Sequence, residues 1–403
     1  MAPLDIVGGT TVLRWFLDRV RFLGEQAASR PASRRLRNKG VEQMEIRAQT
    51  VVSIGEPMQA KARNEIPEPG EVLVQVAGCG VCHTDLSFYY EGVPTRHPLP
   101  LTLGHEVSGT VVATGEGSET WLGRAVIVPA VIPCGECSAC VDDKSSICPD
   151  QVFPGNDIHG GFASHLRVPA RGLCSVPDLT DPTVNPGGLD LATLSVVADA
   201  VTTPYQAILR SGLTEGDLAI FVGVGGVGGF GIQIAAALGA HPVALDVNTE
   251  RLESAREYGA ELALSPAEMG FRAIRKAVRE FAASHDVPTW RRLVFETSGT
   301  TRGQATAFGL LEPGGYLSVV GFTPEKVELR LSNLMAFDAT VQGNWGCRPE
   351  HYPAVLDLVL SMRVVLEPLV VRKPLDEIND VFSELHSQPS RRRVILVPER
   401  TQT

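Results

Sequence analysis

Cys134, Cys137, Cys140 and Cys148 follow a C-x2-C-x2-C-x7-C pattern. Four thiolates so closely spaced can close a tetrahedron around one Zn²⁺, leaving no position open for a substrate. Such a site is structural: it staples a loop that has little apolar content of its own. A pair of disulfides or four free thiols are the alternatives. The specific spacing, and a second set of metal-type side chains elsewhere, favour zinc.

That second set lies in Gly78–Asp85, which reads GCGVCHTD, and in Gly104-His105-Glu106. Cys82 and His105 offer a thiolate and an imidazole, the ligands a catalytic zinc prefers. Two ligands do not complete a site, and a pair of packed core residues is the competing reading. Cys79 reads as a packed strand residue.

A third segment points to a nucleotide. Gly223-Val224-Gly225-Gly226-Val227-Gly228 follows the apolar run Leu218–Val222 and opens a helix near Gly229. Glycines there permit a tight turn, close approach of backbone to a pyrophosphate, and close helix–strand contact. The helix N-terminus then faces the phosphates. Asp246 ends the next apolar run, where a carboxylate can hydrogen-bond the ribose hydroxyls of NAD and repel the 2′-phosphate of NADP. Asn248 follows, no arginine adjoins Asp246 in sequence, and Arg251 can cover the adenosine end. The competing reading is a glycine-rich turn without a ligand.

Taken in order and at these separations, GCGVCHTD, GHE, the cysteine quartet and GVGGVG resemble the zinc-dependent medium-chain alcohol dehydrogenase family. The resemblance covers essentially all of 44–403. It implies that Cys82 and His105 are the first two ligands of a catalytic zinc. Counting back from Tyr205, it places the third at Asp199, where the family usually has cysteine or glutamate. A helix-capping or salt-bridged carboxylate is the alternative for Asp199. Asp85 would accept from the second nitrogen of His105 and fix its tautomer. Glu106 would lie behind the metal and exchange onto it. Zinc with an open position lowers the pKa of a bound alcohol, whose carbinol hydrogen NAD⁺ can take as hydride. Thr84 would accept the alcohol proton, and His83 would lie near the coenzyme pyrophosphate. Ser87 stands where the family often has a histidine, which leaves the last relay step open. Two Zn²⁺ per chain and NAD are the implied cofactors.

Elements must hold these groups together. From residue 44 to about 200 the chain shows short alternating strands between Gly and Pro turns, such as Glu71–Ala77, Ser108–Ala113 and Gly123–Pro129. From about 200 apolar runs alternate with helical spacing, the signature of a parallel sheet. A helix near Tyr352–Ser361 and strands at Leu369–Arg372 and Arg393–Val397 return to the first region. The fold class expected is α/β, a GroES-like β-barrel catalytic domain plus a Rossmann doubly wound parallel-sheet coenzyme domain. The expected division is 44–200 with 346–403 for the first and 201–345 for the second.

Composition narrows the partners. The chain has 403 residues, 44% hydrophobic and 20% charged, as in a globular enzyme, and its net charge of −10 argues against nucleic acid. No apolar run reaches the roughly 18 residues of a membrane span. Eight clustered cysteines fit metal binding in a reducing cytoplasm rather than a disulfide scaffold. Residues 1–43 are arginine-rich and read as an extension with poor order, with Met44 as a start for the folded chain. A homo-oligomer, dimer or tetramer, is expected.

Four longer stretches resemble a narrower branch of the family. They are DLSFYYEGVPTRHPLPLTLGHE (85–106), DQVFPGNDIHGGFASHLRVPARGLC (150–174), SVVADAVTTPYQA (195–207) and LSNLMAFDATVQGNWGC (331–347). That branch oxidises the ring alcohol of 6-hydroxycyclohex-1-ene-1-carbonyl-CoA in anaerobic benzoyl-CoA degradation. The resemblance therefore implies a CoA thioester as substrate. Arg96, His97 and Arg348 could face CoA phosphates or be solvated surface. Phe88 and Tyr89 could wall a ring or be core. A general zinc alcohol or polyol dehydrogenase is the second reading, and a non-catalytic nucleotide-binding relative the third.

Overall fold

The computed structural model describes residues 43–387 and 392–399. The basic extension expected over 1–43 falls, but for Gln43, outside the described residues.

The strand Glu71–Gly80 organises the first part of the molecule. Its Val72, Leu73, Val74 and Val76 are buried, as their apolar character requires. One edge pairs antiparallel with Glu106–Thr114, with register shifts at Leu73/Val74 and Val76/Gly78. Such bulges bend a strand and increase its twist. The other edge pairs first with His165–Pro169 and then with Arg393–Val397. Ala125–Val128, Cys174–Ser175 and Val370–Pro374 complete this seven-stranded sheet. Beside it, Met44–Thr50 and Gln59–Glu65 form an antiparallel pair.

Register decides what meets at one end of this sheet. Gly80 lies opposite Glu106 on one side and Ile395 on the other. The segments just beyond these partners carry Cys82, His105 and Arg393. Three residues remote in sequence are thereby delivered to one place.

The second sheet has six parallel strands. In space they run Leu262–Leu264, His241–Leu245, Leu218–Val222, Arg292–Glu296, Tyr316–Val319, Thr340–Gly343. Numbered by chain order this is 3-2-1-4-5-6, the doubly wound dinucleotide-binding arrangement. Every residue of Leu218–Val222 is buried, which explains its unbroken apolar run. Phe221 and Phe295 stack at 4.7 Å between the two central strands. The strand order reverses there, so the crevice opens beyond Val222 and Glu296, where ligands of such sheets bind. Among the described residues no helix is long and apolar enough to cross a membrane.

Candidate metal and coenzyme site

Cys82 ends the run from the Glu71–Gly80 strand and begins the helix His83–Tyr90. Its backbone N–H donates to Asp85 Oδ2 at 2.8 Å, so the first helical turn closes on itself. Asp85 Oδ1 accepts from Gly104 N at 3.2 Å and lies 3.3 Å from His105 Nδ1. One fully buried carboxylate thus ties the Cys82 segment to the His105 segment and sits behind the imidazole.

Asp199 comes from a third direction. It follows the buried 3₁₀ turn Thr193–Ala198, and Tyr352 Oη donates to Ala198 O at 2.5 Å to hold that turn. Asp199 Oδ1 accepts from Thr203 Oγ1 at 2.5 Å. Its Oδ2 lies 3.8 Å from Cys82 Sγ and 3.6 Å from His105 Nε2. Burial opposes its ionisation, but hydrogen bonds and charge from His105, then Thr203, bring it down to about 2. Cys82, His105, Glu106 and Asp199 place ligand atoms all within 4.8 Å of one another. Zinc about 2.0–2.3 Å from S, N and O donors gives ligand–ligand edges of roughly 3.3–3.8 Å. The observed spacings fit that ion with Cys82, His105 and Asp199 around it.

Glu106 is held differently from the expectation that it exchanges onto a metal. Both its oxygens are engaged by Arg393, Oε2 with Nε at 3.0 Å and Oε1 with Nη2. Neither side chain reaches solvent to any extent, so breaking this pair would strand a buried charge. Burial pushes the Glu106 carboxyl up, and Arg393 opposes that. Gly80 makes the arrangement possible: a side-chain carbon there would fall 2.0 Å from Glu106 Oε2. Arg393 also reaches the glycine turn, its Nη1 lying 3.1 Å from where a Gly226 side chain would start. It joins the two halves of the site, and sequence reasoning missed it. It sits in a run of arginines before a short strand, with no local motif to mark it.

Thr84 Oγ1 is 3.7 Å from Cys82 Sγ, beside the ligand cluster. His83 is exposed on the same turn. Partial desolvation lowers its pKa, opposed by the charge of Glu91 and joined by those of Arg393, His386 and Arg251, so it adds little charge at neutral pH. Ser87 is buried in the helix. Phe153 lies edge-on to His105 at 4.9 Å and to Trp345 at 6.0 Å, and Phe88 is 6.5 Å from Phe153. Phe153 thus packs on the His105 ring, with Trp345 beyond it. Tyr89 is core, packed on Phe382 with its hydroxyl donating to Glu56 O.

At the glycine turn, Gly223 adopts φ +90°, which favours glycine, and packs against the Ser298 backbone. Val227 ends the turn and the helix Gly228–Ala237 follows, its first amides facing the crevice. Asp246 Oδ2 accepts from Val224 N at 2.8 Å and Oδ1 from Asn248 N at 2.9 Å. The sequence placed no arginine beside Asp246, but the fold does: Arg251 Nη1 lies 3.7 Å from Oδ2. A cavity lined by Val224, Gly225, Gly226, Arg251, Ser254 and Tyr258 opens here. The residues fit a dinucleotide, with pyrophosphate over Gly225–Gly228 and a ribose toward Asp246.

The cysteine quartet forms its own cluster. Sγ–Sγ distances are 3.5 Å for Cys137–Cys140, 3.7 Å for Cys137–Cys148 and 3.9 Å for Cys134–Cys140. A zinc with four sulfurs at about 2.3 Å has edges of roughly 3.8 Å. No disulfide is present among the described residues. Amides of Glu136 and Cys137 point at Cys134 Sγ, and against the effect of burial they bring that thiol to about 7. Burial takes Cys148 up to about 12. Arg348 pins this lobe, its guanidinium engaging Asp143 through O and Oδ1 and also Glu350. Arg96 is paired with Asp157 at 3.1 Å. Both arginines considered for CoA phosphates therefore already have carboxylate partners.

A zinc-type ligand set at one end of a curved antiparallel sheet, facing the dinucleotide crevice of a parallel one, defines an oxidoreductase. When bound, the ion supplies Lewis acidity toward an alcohol oxygen and the dinucleotide accepts hydride. Residues 68–178 match the family described as "Alcohol dehydrogenase GroES-like domain", and 226–361 match "Zinc-binding dehydrogenase". An alcohol dehydrogenase of Geobacillus stearothermophilus is 31% identical over 333 residues, 82% of this chain and 92% of that protein. The L-threonine 3-dehydrogenase of Pyrococcus abyssi is 32% identical over 314 residues, 76% and 85% of the two chains. The crystal structure of an alcohol dehydrogenase from Thermotoga maritima superposes with a TM-score of 0.77 at 26% identity, covering 88% of this chain and all of that one. The chain belongs to the zinc-dependent alcohol dehydrogenase family. It is an enzyme acting on CH–OH groups with zinc and a nicotinamide dinucleotide.

Proposed function

We propose that the chain oxidises a secondary alcohol on an unsaturated six-membered ring, presented as 6-hydroxycyclohex-1-ene-1-carbonyl-CoA, to the 6-oxo product with NAD⁺. The observation that carries this reading is the aromatic pair Phe153–Trp345, whose Phe153 packs edge-on against His105 while Trp345 stays partly exposed, a surface that suits a flat ring. The four stretches that resemble the CoA-thioester branch support the handle. In this reading Cys82, His105 and Asp199 hold the catalytic zinc, with Asp85 and Glu106 positioning ligand and coenzyme groups. Cys134, Cys137, Cys140 and Cys148 hold the structural zinc. Thr84 takes the alcohol proton. Gly223, Gly225, Gly226, Val227 and Gly228 receive the pyrophosphate, near His83, and Asp246 with Arg251 binds the adenosine half. The enzyme works in the cytoplasm, where its unpaired thiols persist.

A general alcohol or polyol dehydrogenase is the second reading. The pairing of Arg96 and Arg348 with Asp157 and Asp143 favours it, because neither is free to meet phosphate. Initial rates of NAD⁺ reduction separate the two. The CoA ester should exceed cyclohexenol and ethanol in kcat/KM by several orders of magnitude, with free CoA competing, since remote binding surface orients the ring. Equal turnover of simple alcohols without CoA inhibition would select the second reading.

A further inference from the structure

A third cluster of ligand-type side chains lies in the coenzyme-binding half, away from both sites above. His241, Glu261 and His285 each offer a ligand atom within 4.8 Å of the others. His241 Nδ1 is 3.0 Å and 3.1 Å from the two oxygens of Glu261. His285 Nε2 is 3.5 Å from Glu261 Oε2, and the two imidazole centroids are 4.3 Å apart. We infer that these three side chains form a third transition-metal site, of the His₂–carboxylate type and suited to Zn²⁺.

Three features carry the inference. The spacings come first. Zinc about 2.0–2.2 Å from imidazole nitrogen and carboxylate oxygen gives edges of roughly 3.3–3.5 Å. The His285–Glu261 distance of 3.5 Å falls at the top of that range, and the His241–Glu261 distances of 3.0 Å and 3.1 Å need only a few tenths of an ångström of opening to enter it. Second is the tautomer. His285 Nδ1 lies 2.9 Å from Phe281 O, a contact only an N–H can make, which in the neutral ring leaves the lone pair on Nε2, facing Glu261. Metal-binding histidines are oriented in just this way by a backbone carbonyl. Third is the backbone beneath. His241 N donates to Asp217 O at 2.7 Å and Glu261 N to Pro242 O at 2.9 Å. His285 caps the helix Phe271–Ser284 with its N–H on Ala282 O. Three elements converge, and each ligand is fixed at its root.

The location defines the role. His241 begins the strand His241–Leu245, whereas Asp246 follows its other end. Five residues of strand separate the cluster from the coenzyme by about 16 Å. An ion there touches neither substrate nor coenzyme. It clips the start of this strand to the segment entering Leu262–Leu264 and to the end of Phe271–Ser284. Binding the folded chain and not the unfolded one, it raises stability by mass action.

The test is equilibrium dialysis of the full chain against micromolar ZnCl₂, followed by elemental analysis. Wild type should retain one zinc per chain more than His241→Asn, His285→Asn or Glu261→Gln, with alcohol oxidation unchanged in all three. Added ZnCl₂ should raise the wild-type Tm and leave the folded variants' Tm where it was. Circular dichroism identifies any variant that fails to fold, and the other two then decide. Equal zinc contents, or equal zinc-dependent Tm shifts in wild type and variants, would overturn the site and leave a glutamate between two histidines. Because the readout is a difference in metal count, it stands apart from any result on substrate choice.

Discussion

Asp199 turns one oxygen to Thr203 and the other to the space between Cys82 and His105. Replacing it by asparagine keeps the shape and the Thr203 contact but removes the anion that a zinc ligand supplies. Asp199→Asn is expected to lose most turnover while the cysteine quartet keeps its metal, measured by initial rates and zinc analysis on the same preparation. Full activity in this variant would remove Asp199 from the ligand set. At Asp246 the fold sharpens a second expectation. Its carboxylate disfavours a 2′-phosphate, yet Arg251 is already within 3.7 Å. Asp246→Ser alone should therefore narrow the preference for NAD over NADP by about tenfold or more, equivalent to about 1.4 kcal/mol. An unchanged ratio of kcat/KM for the two coenzymes would refute this role. Asp246 was legible because it stands at the spacing from the glycine turn that a dinucleotide motif predicts, whereas Asp199 was reached only by counting along a family resemblance. Arg393 could not: its partner Glu106 is 287 positions away, and only the strand register brings them together. Tyr352 was hidden for the same reason, since its contact with Ala198 crosses 154 positions.

At the scale of elements, the cysteine lobe has only short helical turns, Ser138–Val141 and Ser145–Ile147, and Cys148 is the one quartet member fully buried. With so little apolar burial, metal ligation must supply its folding free energy. Cys137→Ser should lower the yield of folded protein and release one zinc, whereas an unchanged yield and metal content would show that the lobe folds without it. A second element-level expectation concerns acid. His159 Nδ1 accepts from Thr102 N at 3.2 Å, so the folded state needs a neutral ring. Burial first, then the charges of Arg63, His97 and Arg167, bring its pKa from 6.5 to about 4. Between those values the unfolded chain binds a proton that the folded chain refuses, so stability present at neutral pH is lost as pH falls through that window. Denaturant midpoints should drop less between pH 7 and pH 5 in His159→Gln than in wild type; parallel drops would exclude His159 as a cause. Alternation and apolar runs made the strands and the two sheet types legible. The bulges at Leu73/Val74 and Val76/Gly78, and the pairing of one strand with three partners, were not, because register depends on contacts that no local pattern encodes.

For the molecule as a whole, the parallel sheet ends at Thr340–Gly343, and no described strand pairs with its outer edge. The residues there are mostly exposed, Val341 at 39%, and the neighbouring helix Ser332–Phe337 shows Met335 at 79%, with Leu331 just before it at 67%. A free edge with apolar side chains is a template for pairing and an aggregation hazard unless something covers it. The strand carries no lysine, proline or inward charge to discourage pairing. A second copy of the chain, bringing the same edge antiparallel across a twofold axis, would satisfy the backbone groups of both and bury these side chains. The expected homo-oligomer is thus a dimer, or a tetramer built from such dimers, through Thr340–Gly343. Light scattering should give at least twice the chain mass for wild type. Val341→Lys, which sets like charges against each other near the axis, should shift the protein toward monomer at low concentration without disturbing the zinc quartet. A monomeric wild type, or a Val341→Lys variant that keeps its assembly, would rule out this edge as the interface.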